Sequence, residues 1–256
     1  MTIEPPERPF VWSACQTAEE ERDHRKLRLV VAFRVLASLE MDDGVAGHVT
    51  VRDPEHPGLF WVNPFGPPFA RIRVRDLVSV DERGNLVEGV QPINPSAFAI
   101  HASIHRHRPD VQAAVHSHSR CGRAWSSLGR HLDPITQDHC DFFEDHGLYG
   151  TYEGRVLDPQ EGDRIATALG GHKAVILQNH GLLTVGRSIE EATWWFIRME
   201  RCCEMQLLAE AAGRPRPIAT EAARQAHAEQ GHALAGWFSA QSLFDAVIEA
   251  EGDALW

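Results

Sequence analysis

Ala113-Ala114-Val115-His116-Ser117-His118 and, further along, Ile176-Leu177-Gln178-Asn179-His180-Gly181 are the stretches on which the reading of this chain turns. Each is a short apolar run that ends in histidine. In a β-strand, residues i and i+2 point to the same face. His116 and His118 therefore aim two imidazoles at one point. His180 follows the apolar run 174–177 and precedes a glycine, where a strand ends and a side chain can turn inward. Three neutral imidazoles with open positions suit a catalytic divalent transition metal. The chain has 15 histidines, enough for an H-x-H pair to arise by chance. Spacing alone thus leaves both a metal site and a merely structural pair open.

Working outward, helical and strand patterns alternate, and several strand pairs are joined by turns. This predicts an α/β fold with a mixed or antiparallel sheet. Residues 1–16, with Pro5, Pro6 and Pro9, read as an extended arm. Thr17 with Glu20 forms a capping box for a helix expected to run to about Glu40. Residues 47–80 read as short strands with turns at Asp53-Pro54 and Gly66-Pro67-Pro68. Ser96 is the expected cap of a helix from Ala97 to His107, stopped by Pro109. Gly122 to Leu128 reads as a short helix, Leu132 to Gln137 as a strand, and Asp141 to Gly150 as a loop. Gly162 to Leu169 reads as a helix. A further helix, boxed by Ser188 and Glu191, runs to Gly213 with Pro215 and Pro217 beyond it. The expected organisation is an arm (1–16), a metal-binding domain (17–213) and a helical tail (214–256) broken at Gly236.

The segments around the histidines carry a resemblance. Pro95-Ser96, Phe98 to His101, Arg108-Pro109-Asp110-Val111, Ala114 to Ser119 and Asn179-His180-Gly181-Leu182-Leu183-Thr184-Val185-Gly186 resemble the class II aldolase/adducin family. So do Gly44 to Val51, Asn63-Pro64, Gly66 and Asp76-Leu77-Val78. The resemblance covers about residues 20–212. It implies a three-layer αβα fold around a largely antiparallel sheet. It implies a homotetramer with active sites near subunit interfaces, and a divalent transition metal (Zn, Mn or Fe(II)) on His116, His118 and His180. It also places Gly47, Asn63, Gly66 and Ser96 where the family cradles an anionic ligand. Two departures matter. Ala97 stands where the sugar-phosphate aldolases carry an acid/base glutamate. Gly47-His48-Val49-Thr50 replaces the Gly-Asn-x-Ser of the phosphate cradle. The chain is also similar to a branch of the family, the non-haem iron oxygenases of aminocoumarin biosynthesis, which oxidatively decarboxylate an aryl 2-oxo acid.

Other residues are weighed as candidates for the missing proton-transfer group. Glu144 is the carboxylate nearest the site in sequence, although a solvated loop acid is the slightly favoured reading; Asp145 and His146 share this ambiguity. Tyr149 and Tyr152 could protonate an enolate or orient substrate. His101 and His105 lie one helical turn apart and could line a pocket, or pack helix against sheet. Trp194-Trp195-Phe196 reads as packing.

Composition bounds the function. Hydrophobic residues make up 43% of 256, ordinary for a globular protein with a sizeable core. A formal net charge of −11 argues against nucleic acid and anionic membranes as partners. The N-terminus does not read as a signal peptide, and no segment approaches the roughly 18 apolar residues of a membrane span. Five cysteines without framework spacing read as reduced thiols, hence a cytoplasmic protein. The leading expectation is a metal-dependent lyase acting on a C–C bond beside a carbonyl in a small, non-phosphorylated hydroxy-carbonyl or 2-oxo acid. A non-haem Fe(II) oxygenase decarboxylating a 2-oxo acid is the alternative. A non-catalytic, adducin-like interaction module is the third reading.

Overall fold

The computed structural model describes residues 15–256, so the expected arm lies outside the described residues except for its last two. An eight-stranded sheet forms the middle layer. Its strands are β1 (Gly47–Arg52), β2 (Leu59–Val62), β3 (Val78–Asp81), β4 (Leu86–Glu88), β5 (Ala113–Ser117), β6 (His146–Tyr149), β7 (Ala174–Leu177) and β8 (Gly181–Gly186). Their order is β4-β3-β2-β1-β5-β8-β7-β6. Every pairing is antiparallel except β6 with β7. The three-layer, largely antiparallel architecture expected from the sequence is the one observed.

Alternation along the strands assigns the two faces. Ala113, Val115, Ala174 and Ile176 point into one core with α1 (Ala18–Ser38), α5 (Ile189–Ala212) and α7 (Ala233–Glu251). Ala114, Val175 and Leu177 point into the other, against α2 (Pro95–His107) and α4 (Pro159–Leu169). Each fully buried aliphatic side chain contributes about 1.5–3 kcal/mol to this assembly. Ala240, Phe244 and Leu255 of the C-terminal tail are buried in the first core.

Several local expectations are corrected. The Thr17–Glu20 capping box forms, but α1 stops at Ser38, because Glu40 turns left-handed (φ 55°) and the Met41 amide returns to Leu36 O at 2.9 Å. Asn94, not Ser96, caps α2, its Oδ1 accepting the Ser96 amide at 3.0 Å; Pro95 takes the first turn, where its missing N–H costs nothing. The short helix α3 spans Arg120–Ser126. Residues 132–137 are no strand. Pro134 lacks a donor, and the neighbouring amides go instead to His146 Nε2 (from Leu132, 3.0 Å) and Gln206 Oε1 (from Asp133, 2.9 Å). The loop expected at 141–150 contains β6, too short to show a period. The tail breaks between α6 (Thr220–Gln230) and α7, not at Gly236. Gly236 lies inside α7, and its lack of a side chain makes room for Trp195, which a Cβ there would meet at 2.6 Å. Among the described residues, no helix is long and apolar enough to cross a membrane.

Candidate metal centre

His116 lies on β5, His118 one residue past its end, and His180 in the turn between β7 and β8. That turn is tight. Asn179 is left-handed (φ 58°), which asparagine tolerates, and at Gly181 (φ 154°) an added Cβ would stand 3.4 Å from Ser117 O and 3.7 Å from His116 Cε1. One ligand atom from each imidazole lies within 4.8 Å of the others, and no Asp, Glu or Cys joins the group among the described residues. His116 is buried; His118 and His180 are half-buried. The His116 Nδ1–H donates to Leu182 O (2.8 Å), which leaves Nε2 as the free lone pair. Burial drives all three rings toward the neutral form. His116 is held well below its ordinary range by burial and by His180, His48 and His118. His180 is lowered to about 4 by burial and His118. His118 is lowered by burial and by the Arg123 guanidinium. Neutral imidazoles with open lone pairs are what a divalent ion requires. The donor set therefore fits one.

A second group of imidazoles adjoins the first. Antiparallel pairing sets His48 of β1 directly opposite His116, with ring centroids 4.9 Å apart. His48 Nδ1 is hydrogen-bonded to His101 Nε2 (2.8 Å), and His101 Nδ1 to Thr50 Oγ1 (2.7 Å). Thr50 Oγ1 also bonds His105 Nε2 (2.9 Å). All four side chains are buried. Burial lowers His48 and His101 well below the ordinary range, and His105 to about 3, so the chain is neutral. His101 thus belongs to the layer behind the triad. Sequence reasoning passed over His48 and Thr50 as chemistry-bearing side chains. Their i, i+2 spacing on β1 was the available signal, since it repeats the His116–His118 alternation.

Of the expected anion cradle, Gly47 and Asn63 come together. Asn63 Oδ1 accepts the Val49 amide (3.2 Å) and its Nδ2 reaches Gly47 O (3.4 Å). Gly47 has φ 127°, which L side chains rarely adopt, and a Cβ there would stand 3.0 Å from Ser117 Oγ, so both backbone and space favour glycine at the strand start. Gly66 (φ 128°) is exposed with open space around it, and the Phe65 amide bonds Pro92 O (2.8 Å), tying this loop to the segment leading into Ser96.

The proton-transfer candidates have these partners. Glu144 is exposed and paired with Arg224 of α6 (2.9 Å), which holds its carboxyl below the usual range. Tyr149 is buried, its hydroxyl accepting from Arg164 Nε (3.4 Å). Tyr152 is 56% exposed. None of the three is hydrogen-bonded to a triad imidazole among the described residues. Asp145 pairs with Lys173 (3.0 Å). His146 is a satisfied structural histidine, donating from Nδ1 to Phe142 O (2.7 Å) and accepting the Leu132 amide. Trp195 and Phe196 are core residues, as expected.

Comparison with known proteins agrees with this geometry. The family described as Class II Aldolase and Adducin N-terminal domain matches residues 27–207. The decarboxylase NovR of Streptomyces niveus is 48% identical over 93% of this chain and 88% of its own length. A 4-hydroxy-3-prenylphenylpyruvate oxygenase/4-hydroxy-3-prenylbenzoate synthase of Streptomyces roseochromogenus subsp. oscitans is 48% identical over 93% of this chain and 86% of its own. Among solved structures, an L-fuculose 1-phosphate aldolase from Glaciozyma antarctica superposes with a TM-score of 0.89 at 44% identity, covering 95% of this chain and 96% of that one. By fold, by the spacing of its histidines and by these likenesses, the chain belongs to the class II aldolase and adducin N-terminal domain family.

Proposed function

We propose that this chain is a metal-dependent enzyme acting on the C–C bond beside the carbonyl of a 2-oxo acid. We infer oxidative decarboxylation of an aryl 2-oxo acid, with O₂ as oxidant, over aldol cleavage. The observation that carries the reading is the convergence of three neutral imidazoles without a carboxylate. An aldolase needs a proton-transfer group at the position of Ala97, whereas oxidative decarboxylation does not. The relatives named as a decarboxylase and as a prenylphenylpyruvate oxygenase support the same choice.

His116, His118 and His180 would hold the metal. As Fe(II), with open positions, it would supply both a Lewis acid for the 2-oxo carboxylate and a redox partner for O₂. The chain does the rest by positioning. Leu182 O fixes the tautomer of His116. His48, backed by His101, Thr50 and His105, offers the β1 side of the site a neutral imidazole for a substrate oxygen. Gly47 and Asn63, joined at the start of β1, mark the side from which we place the substrate carboxylate. We extend the reading to a cytoplasmic homotetramer, for which sedimentation velocity is the check.

The test is oxygen uptake by anaerobically purified, Fe(II)-loaded protein over a panel of aryl and aliphatic 2-oxo acids. Uptake matched by CO₂ release is the expected result. No uptake, with Zn(II)- or Mn(II)-dependent aldol cleavage of hydroxylated analogues, would return the chain to the lyases.

A further inference from the structure

The strand carrying His116 and the residue His118 are fastened from the far side of the sheet by one buried carboxylate. Glu200 of α5 is 7% exposed and accepts three hydrogen bonds from the segment that follows His118. They come from Ser119 Oγ (2.5 Å), the Cys121 amide (2.6 Å) and the Gly122 amide (2.6 Å). The two amides belong to the first turn of α3, whose N–H groups have no partner within the helix. The approach depends on a missing side chain. A Cβ on Gly122 would stand 2.8 Å from Glu200 Oε2 and 2.7 Å from Leu182 Cδ1. Leu182 is the residue whose carbonyl holds His116. One joint of Glu200, Gly122 and Leu182 therefore touches the supports of two of the three imidazoles.

We propose that Glu200 is a positioning residue for the metal centre, setting the affinity of the triad for divalent metal by fixing the chain at Ser119 and so the place of His118. This rests on the triad being a metal site, as in the functional reading above. Outer partners of metal ligands typically change affinity by about 10–100-fold when removed. Glu200→Gln keeps the side chain's size but turns an N–H₂ toward donors, so at least one of the three bonds is lost. Gly122→Ala attacks the same joint from the other side.

Glu191 supplies the control. It is an equally buried carboxylate on α5, accepting from the Arg187 amide (2.6 Å) and Trp195 Nε1 (3.0 Å) rather than from residues 118–122. The experiment titrates Co(II) against a competing chelator for the parent, Glu200→Gln, Gly122→Ala and Glu191→Gln proteins, with folding checked by circular dichroism. The imidazole C–H resonances of the metal-free proteins are recorded alongside. The expected result is affinity weakened about 10-fold or more in Glu200→Gln and Gly122→Ala, with the His118 resonance displaced. Glu191→Gln keeps both near the parent. Equal loss in Glu191→Gln, or an unmoved His118 resonance in a folded Glu200→Gln, overturns the proposal. A parent that binds no Co(II) refutes the metal reading, while the resonances still decide whether Glu200 places His118.

Discussion

Gly162→Ala is the substitution in which two effects of opposite sign meet, and the structure says which wins. Gly162 is the fourth residue of α4, where it faces α2. On helix propensity alone, alanine is favoured over glycine by about 1 kcal/mol. But a Cβ at this position would lie 2.0 Å from Ala99 O and 2.7 Å from Ser103 Oγ. Ordinary contact begins near 3.4 Å, and Ala99 O is backbone within α2, so no rotamer change relieves it. The helices must separate by about an ångström, loosening Ile100, Ile104, Ile165 and Ala166 from each other. Overpacking of this kind costs about 1–3 kcal/mol, and a backbone clash belongs at the upper end. The expected net is a destabilisation of about 2 kcal/mol, or about 4–8 °C in Tm for a chain this size. Urea unfolding of the parent and variant, at an unchanged m-value, measures it. Gly171, with open space around it, is the control, and Gly171→Ala should be near neutral. A Gly162→Ala protein as stable as the parent would refute the packing argument.

The metal site, a buried carboxylate and the C-terminal helices each make a further outcome measurable. Saturating divalent metal should raise the parent's unfolding temperature, by about 2.7 kcal/mol of stability at a hundredfold excess over Kd. His116→Ala should abolish that rise in a thermal scan; a persisting rise would place the metal elsewhere. Asp53, buried between Arg22 (2.7 Å), the amides of Glu55 and His56 and the Trp61 indole, is pulled down to about 2 although burial opposes it. Its folded value lies below its unfolded one, so its contribution of about 2 kcal/mol is present above pH 4 and lost as pH falls from about 4 to 2. Asp53→Asn should remove that part of the acid transition, read as a flatter stability profile over this window. Deleting residues 214–256 strips Ala240, Phe244 and Leu255 from the main core, and the truncated chain should lose cooperative unfolding by calorimetry.

The fold was legible where the sequence repeats a period or a cap. The Thr17–Glu20 box, the apolar runs at 113–115 and 174–177 and the Ser188 cap all sit where they were expected. It was illegible where a partner far along the chain decides. Residues 132–137 have strand-like composition, yet their donors are taken by His146 and Gln206. Gly236 looks like a breaker, but it is a contact for Trp195. The site divided in the same way. His116, His118 and His180 were visible through alternation and a turn. Proximity in sequence singled out Glu144, whose pairing with Arg224 of α6 only the fold reveals. His48 and Thr50 required the register of β1 against β5, and Glu200 required the packing of α5 on α3, neither of which a single sequence states.

The division of labour around the triad bears on how such a chain can change trade. His116 and His118 are steadied from β8 and α5, through Leu182 and Glu200, whereas position 97 belongs to the first turns of α2, across the sheet. An acid or base can therefore be gained or lost on α2 without disturbing the scaffold of the imidazoles. With this layout, a change of reaction calls for a new side chain on one helix and leaves the supports of the three histidines where they are.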